Sequence, residues 1–414
     1  MSKASINPET QPELPLNPLS ATSPLPSERL ASIDAYRGFV MFLMMAEVLK
    51  LCEVASRVSG NRYWELLCQH QSHVDWVGCS LHDLIQPSFS FLVGAALPFS
   101  LASRLARGQS KAWMTLHALW RSLILVFLGV FLRSRGSSQT NFTFEDTLSQ
   151  IGMGYTFLFL IALLPRRVQW VALGVISIGY WGAFALYPLP DSGFDYAAVG
   201  VRPDWSHHQT GFAAHWDKNS NLAWAFDTWF LNVFPRARPF THNGGGYATL
   251  SFIPTLATMV LGLMGGEVLR RPGRGWAKVS WLCAAGAIGL ATGWGLGELG
   301  ICPVVKRIWT PSWVLFSGGW CFLFLAGFYA VLDLIGVRFW AFPLRVIGMN
   351  SIAAYCMAGL WESFIARNLT IHLGKNAFTL VGQPYEPLIH GAAVLLVLWL
   401  ILFWMYRRKL FLRI

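Results

Sequence analysis

The sequence predicts an all-α, polytopic integral membrane helix bundle of about ten transmembrane helices, with both termini on the inner side. Three observations predict it. Of 414 residues, 54% are hydrophobic and only 13% charged, where an ordinary soluble domain carries about 25% charged residues. Apolar runs of roughly 17 to 25 residues, the length a helix needs to cross the hydrocarbon core, recur along nearly the whole chain. Short basic segments separate alternate runs, as cytoplasmic loops do.

Taken in order, the runs are as follows. The first, 36–53, begins just after Asp34, and the second, 82–103, opens with His82 and Asp83. The third and fourth, 117–132 and 147–164, flank "LRSRGSSQTNFTFEDTLSQ", which is short and polar enough to make them a bent pair within one layer. The fifth, 168–187, follows "PRRVQ". The sixth, 247–269, comes after a long polar segment, and the seventh, 276–297, after "RRPGRGWAK". The last three are 312–335, 342–362 and 389–406, and the tail is "RRKLFLRI". These basic segments and "SRLARGQSKAW" set the inner face, so 54–81, 188–246, 298–311 and 363–388 are outer loops. Arg133, Arg135, Lys306 and Arg307 fall on the wrong side of that scheme, which makes them either tolerated exceptions or residues with work to do outside.

Residues 1–30, rich in Pro and Ser with no apolar h-region, read as a disordered cytoplasmic tail and not as a signal peptide. Residues 31–414 form one transmembrane domain with an extracytoplasmic loop region at 188–246. The net charge of +11 sits beside the spans, where anionic lipid headgroups account for it, and nucleic acid is excluded as a partner. The seven cysteines show no C-x-x-C pair and no metal-ligand spacing, so no metal is expected. Cys68 and Cys79 share an outer loop, where an oxidising compartment would permit a disulfide between them. No Walker A motif, dinucleotide fingerprint or nucleophile elbow is present. Nor is there an internal repeat of the kind many transporters carry. The loop 188–246 is dense in Trp, His, Asn and Asp; Trp205, Trp216, Trp224 and Trp229 suit either sugar stacking or an interfacial belt with a small lid.

"SHVDWVGCSLHDLIQPSFSFLVG", 72–94, places ionisable groups in and before a span. A charge at bilayer depth costs at least about 2.5 to 3.5 kcal/mol, so Asp83 calls for a partner or a function. His73, ten residues earlier, is the candidate partner, with His82 beside it. A His oriented by a carboxylate is a usable general base near neutral pH. The alternative, Asp83 capping its own helix with His73 in a surface loop, stays open on residue types alone.

"SIDAYRGFVMFLMM" (32–45), "HVDWVGCSLHDLIQPSFSFLVGAALPFSL" (73–101), "PVVKRIWTPSWVL" (303–315) and "VIGMNSIAAY" (346–355), in this order and spacing, resemble the heparan-α-glucosaminide N-acetyltransferase family and its bacterial NagX-like domain-of-unknown-function relatives. The resemblance runs from about residue 29 to the C-terminus. It implies an acyltransferase-3-like bundle in a bacterial inner membrane, moving an acetyl group from cytoplasmic acetyl-CoA, the acyl-donor substrate, to the amine of an extracytoplasmic amino sugar or glycan. The family's essential His, in its H-x-x-W-x-G motif, falls on His73, and the Asp ten residues on falls on Asp83. His73 is then base or nucleophile. Asn350 and Lys306 resemble motif positions that supply amide and ammonium donors, Asn350 to catalysis and Lys306 to donor binding. Arg37, oriented by Asp34, is placed to meet a CoA phosphate. The chain departs from its relatives at "MMAEVLK", where Glu47 stands as a second carboxylate for His73 or a partner for Lys50. It departs again at "THNGGGYATLSFIP", which lacks the acidic residue that would hold an amine. The partners implied are the glycan acceptor and membrane lipids, with a homodimer as a further candidate. A sugar or polyol permease and an O-acyltransferase acting on a glycan hydroxyl are the competing readings.

Overall fold

The computed structural model describes residues 30–412, so the tail assigned to 1–30 lies, except for Leu30, outside the described residues. Fourteen α-helices are found among them, with no strand. They are α1 (Ala31–Met45), α2 (Leu51–Arg57), α3 (Arg62–Gln71), α4 (Ile85–Ala106), α5 (Lys111–Arg133), α6 (Thr147–Ala162) and α7 (Arg166–Leu186). After the long loop come α8 (Leu222–Phe230), α9 (Phe252–Arg270), α10 (Gly275–Glu298), α11 (Pro311–Tyr329), α12 (Phe342–Gly348), α13 (Ser351–Leu373) and α14 (Glu386–Arg407).

Seven helices of the described residues are long and apolar enough to cross a membrane: His82–Ala106, Lys111–Arg133, Arg166–Leu186, Thr249–Arg270, Gly275–Glu298, Pro311–Leu334 and Gln383–Arg407. Thr147–Ala162 is apolar but 16 residues long. Two of the expected spans are interrupted. The first ends in a 3-10 turn, Ala46–Leu49, closed by Lys50 at φ 51°, and α2 starts afresh beyond it. A left-handed non-glycine residue cannot continue a right-handed helix. The span expected at 342–362 is split at Met349 and Asn350 into α12 and α13.

Helices α4 and α9 form the centre. Their backbones touch through glycine, because a Cβ on Gly94 would strike the Met259 carbonyl and one on Gly262 would strike that of Phe91. Small residues allow this approach, which lipid tails alone would not drive. Gly38 and Gly348 do the same for α1 and α12, and so hold Asp34 and Arg37 beside the break at Asn350. Helices α7, α10 and α14 lie outside, exposing Val171, Val175, Ile178, Trp294, Leu396 and Trp404, apolar surface of the kind a bilayer covers.

One end of the bundle carries a folded cap, made from 72–81, 188–248 and 299–310. An antiparallel bridge joins Val77 to Val305, and the Gly78 N–H donates to the Val304 carbonyl at 3.1 Å. Arg307 donates to the carbonyls of Val74 (3.1 Å) and Gly245 (2.8 Å). Trp76 and Trp216 are fully buried with Tyr180 and Phe184, and Trp76 Nε1 donates to the Trp216 carbonyl at 3.1 Å. Burial of one such indole is worth about 4 to 6 kcal/mol as an upper estimate, enough to order a loop that has no helix of its own at that point. Gly246, at φ 79°, backs against the Trp76 ring where a side chain would collide. Trp216 therefore belongs to the core of the cap; only Trp229 of the four loop tryptophans is largely exposed.

Candidate active site

The cap carries His73 at its edge. The loop leaving α3 turns at Ser72, and Ser80 and Asp83 close the turn reciprocally: the Ser80 N–H donates to Asp83 Oδ2 at 3.0 Å and the Asp83 N–H to Ser80 Oγ at 3.2 Å. This is a capping box at the head of α4. The Val74 N–H adds a third donor, 3.2 Å from Oδ2. The other carboxylate oxygen, Oδ1, meets His73 Nδ1 at 2.7 Å and Lys306 Nζ at 3.1 Å. Capping and pairing, alternatives in the sequence, are thus performed by different oxygens of one side chain.

Asp83 is fully buried and Lys306 nearly so, whereas the His73 side chain is 38% exposed. With Nδ1 held by the carboxylate, the proton sits on that edge, and Nε2 is the nitrogen left for chemistry. The His82 ring tilts against His73, centroids 4.6 Å apart. Burial pulls the Lys306 ammonium below the ordinary lysine range, and Asp83 opposes the shift. Its Nζ also lies 3.1 Å from His73 Nδ1, so two donors compete for Oδ1. Burial pushes the Cys79 thiol up to about 12, which keeps the nearest free cysteine protonated and poorly nucleophilic.

His73 opens into a cavity of about 700 Å³ on the capped side, lined also by Glu47, Lys50, His82, Arg133, Asp146, Lys306 and Glu362. Glu47 shares this cavity with His73, and its expected alternative partner, Lys50, pairs with Glu53 at 3.1 Å. The Gly-rich segment supplies no carboxylate, as expected, but Asp146 and Glu362 do so from the start of α6 and from α13. Glu362 carried a sequence signal, an acid inside an apolar run; Asp146 carried only that of a helix N-cap, which it also is, accepting from the Leu148 and Ser149 N–H groups.

A second cavity, about 640 Å³, opens at the opposite, basic end. Asp34 and Arg37 line it and pair at 3.6 Å. Arg104 and Arg121, not singled out from the sequence, line it as well. Arg121 donates to the Tyr155 hydroxyl at 3.0 Å while its Nε is buried without a hydrogen-bond partner among the described residues. Such a cradle suits phosphate. Phe89, Thr147 and Tyr355 line both cavities.

Lys306 joins His73 and Asp83 under the cap. Asn350 lines neither cavity: its amide donates to the Leu410 carbonyl at 3.0 Å and accepts from the Leu412 N–H at 3.2 Å, because the break between α12 and α13 turns it toward the C-terminal segment. The disulfide is corrected. Cys68 pairs with Cys52 and not with Cys79, since α2 and α3 fold back on one another while Cys79 turns in toward Asp83.

No family model matches the chain. The chain is 26% identical to the human protein heparan-alpha-glucosaminide N-acetyltransferase over 436 aligned positions, which cover 96% of this chain and 61% of that one. It is 24% identical to the mouse protein of the same name, covering 99% and 65%. The chain is thus similar, along nearly its whole length, to two proteins named heparan-alpha-glucosaminide N-acetyltransferase. It spans about six-tenths of the length of these relatives, so the alignment concerns essentially all of this chain and only part of each of theirs. The helical bundle, with seven membrane-length helices among the described residues, is polytopic in type.

Proposed function

We propose that the chain is a transmembrane acetyltransferase, taking acetyl from acetyl-CoA at the basic end and passing it to the amine of an amino sugar at the capped end. The observation that carries this reading is the arrangement of the two cavities: one holds Arg37, Arg104 and Arg121, the other holds His73 on Asp83, and they adjoin. The arginines would take the phosphates of the donor. Glu47, Asp146 and Glu362 would attract a protonated amine, which an apolar channel would exclude.

The acceptor ammonium gives one proton to solvent, the amine attacks the thioester carbonyl, and His73 Nε2 accepts the second proton from the attacking nitrogen. An N–C bond forms, the C–S bond breaks, and His73 returns its proton to the sulfur, so that CoA leaves as the thiol. Asp83 stabilises the imidazolium formed on the way. The basic segments support an inward-facing donor side, with a bacterial inner membrane as the home the resemblance implies.

Purified protein in detergent, radiolabelled acetyl-CoA and a panel of glucosamine-terminated glycans test the reading. Label on a glycan with wild type, and none with an equally stable His73→Ala variant, supports it. A folded wild type that neither binds nor turns over acetyl-CoA contradicts it and leaves the permease reading in its place.

A further inference from the structure

The walls of the two cavities have three side chains in common: Phe89 on α4, Thr147 at the first position of α6, and Tyr355 on α13. We infer that Phe89 and Tyr355, backed by Thr147, form an acyl filter: the constriction at which the thioester meets the acceptor, sized to admit acetyl and to reject longer acyl chains. This rests on the transferase reading above.

Position argues for it first. If donor phosphates lie among Arg37, Arg104 and Arg121 and the base is His73, the reacting carbonyl has to sit where the cavities adjoin, and these three residues are the partition there. Rigidity argues second. Phe89 and Tyr355 each pack against both of the two largest apolar clusters of the bundle, so neither ring can turn aside without disturbing two cores. Ser88, next to Phe89, is hydrogen-bonded to the Tyr36 hydroxyl at 2.9 Å and ties α4 to α1. Thr147 follows the Asp146 cap, which pins the start of α6, and its side chain interacts with that of Tyr355. Chemistry argues third. Two aromatic rings and a threonine carry no base and no charge, so the partition offers water nothing to activate it, and an acyl thioester held there is shielded from hydrolysis.

A rigid apolar wall discriminates by about 10- to 200-fold per methylene. The test is kcat/KM for acetyl-, propionyl- and butyryl-CoA, with CoA release measured in the absence of acceptor, in wild type, Phe89→Ala, Phe89→Leu and Phe91→Leu. Phe91 is buried on the same helix and lines neither cavity, so Phe91→Leu reports general loosening. The filter predicts a butyryl-to-acetyl ratio raised at least tenfold in Phe89→Ala, by less in Phe89→Leu, and unchanged in Phe91→Leu, with acceptor-independent CoA release rising in the Phe89 variants. Should Phe89→Ala fail to fold, Phe89→Leu carries the test. An unchanged ratio in a Phe89 variant that still acetylates overturns the filter alone. A wild type that turns over no acyl-CoA removes the transferase reading and the filter with it.

Discussion

Asp83 holds His73 with one carboxylate oxygen, 2.7 Å from Nδ1, and holds the start of its own helix with the other. The orientation of His73 and the integrity of the turn that carries it therefore depend on a single side chain.

His73→Ala removes the proposed base. General acid–base catalysis contributes about 10²- to 10⁴-fold, and kcat should fall by that range with the melting temperature little changed, because His73 is partly exposed. Asp83→Asn should reduce kcat comparably and also lower stability by about 1 to 3 kcal/mol, because an amide cannot accept from both sets of buried donors. Activity and thermal melting measured side by side separate the two roles.

Lys306→Met should cost about 3 to 5 kcal/mol, the penalty for leaving one member of a buried ion pair alone. Lys306→Arg should not restore full activity, since the planar guanidinium cannot sit between Oδ1 and Nδ1 as the ammonium does. Melting curves of Lys306→Met and acetyl transfer by Lys306→Arg check this.

Arg121→Gln and Arg37→Gln should each raise KM for acetyl-CoA about tenfold, or ~1.4 kcal/mol, with kcat nearly unchanged. That is the signature of binding lost equally from ground and transition states. A fall in kcat at constant KM would move these arginines out of donor binding.

The Cys52–Cys68 bond closes a loop of sequence separation 16, worth about 3 kcal/mol by chain entropy. Dithiothreitol or Cys52→Ser should lower the melting temperature, while Cys79→Ser should not respond to reductant differently from wild type.

Asp227 provides a pH test. Burial raises its carboxyl from 3.8 to about 7, with Oδ2 on the Thr249 N–H and Oδ1 buried without a partner among the described residues. The folded state binds the proton more tightly than the unfolded one. Its contribution is therefore fully present below about pH 4, and is lost as pH rises through about 7. Asp227→Asn should flatten that fall in melting temperature, and an identical pH profile in the variant would refute the assignment.

The ten-residue spacing of His73 and Asp83 was legible because both lie in one turn, where sequence separation and space are nearly the same thing. Lys306, 223 residues beyond Asp83, was visible as a charge on the wrong side of the positive-inside pattern, a reliable sign of work to do but silent about with what. Arg307 gave the same signal and proved to lace the cap together. The orientation of Asn350 was not legible, because a motif position says nothing of which way a helix break turns its side chain. Arg104 and Arg121 hid among ordinary inner-face basic residues. The pairing of Cys52 was obscured by extending the first span through Lys50, where one left-handed torsion ends it.

The most direct measurement places the two substrates on opposite sides of a membrane. Vesicles bearing the purified protein, with a glucosamine-terminated glycan sealed inside and radiolabelled acetyl-CoA added outside, should accumulate labelled glycan in the lumen with wild type and not with His73→Ala. Labelling only when donor and acceptor share one side, or labelling that survives loss of His73, would contradict the account.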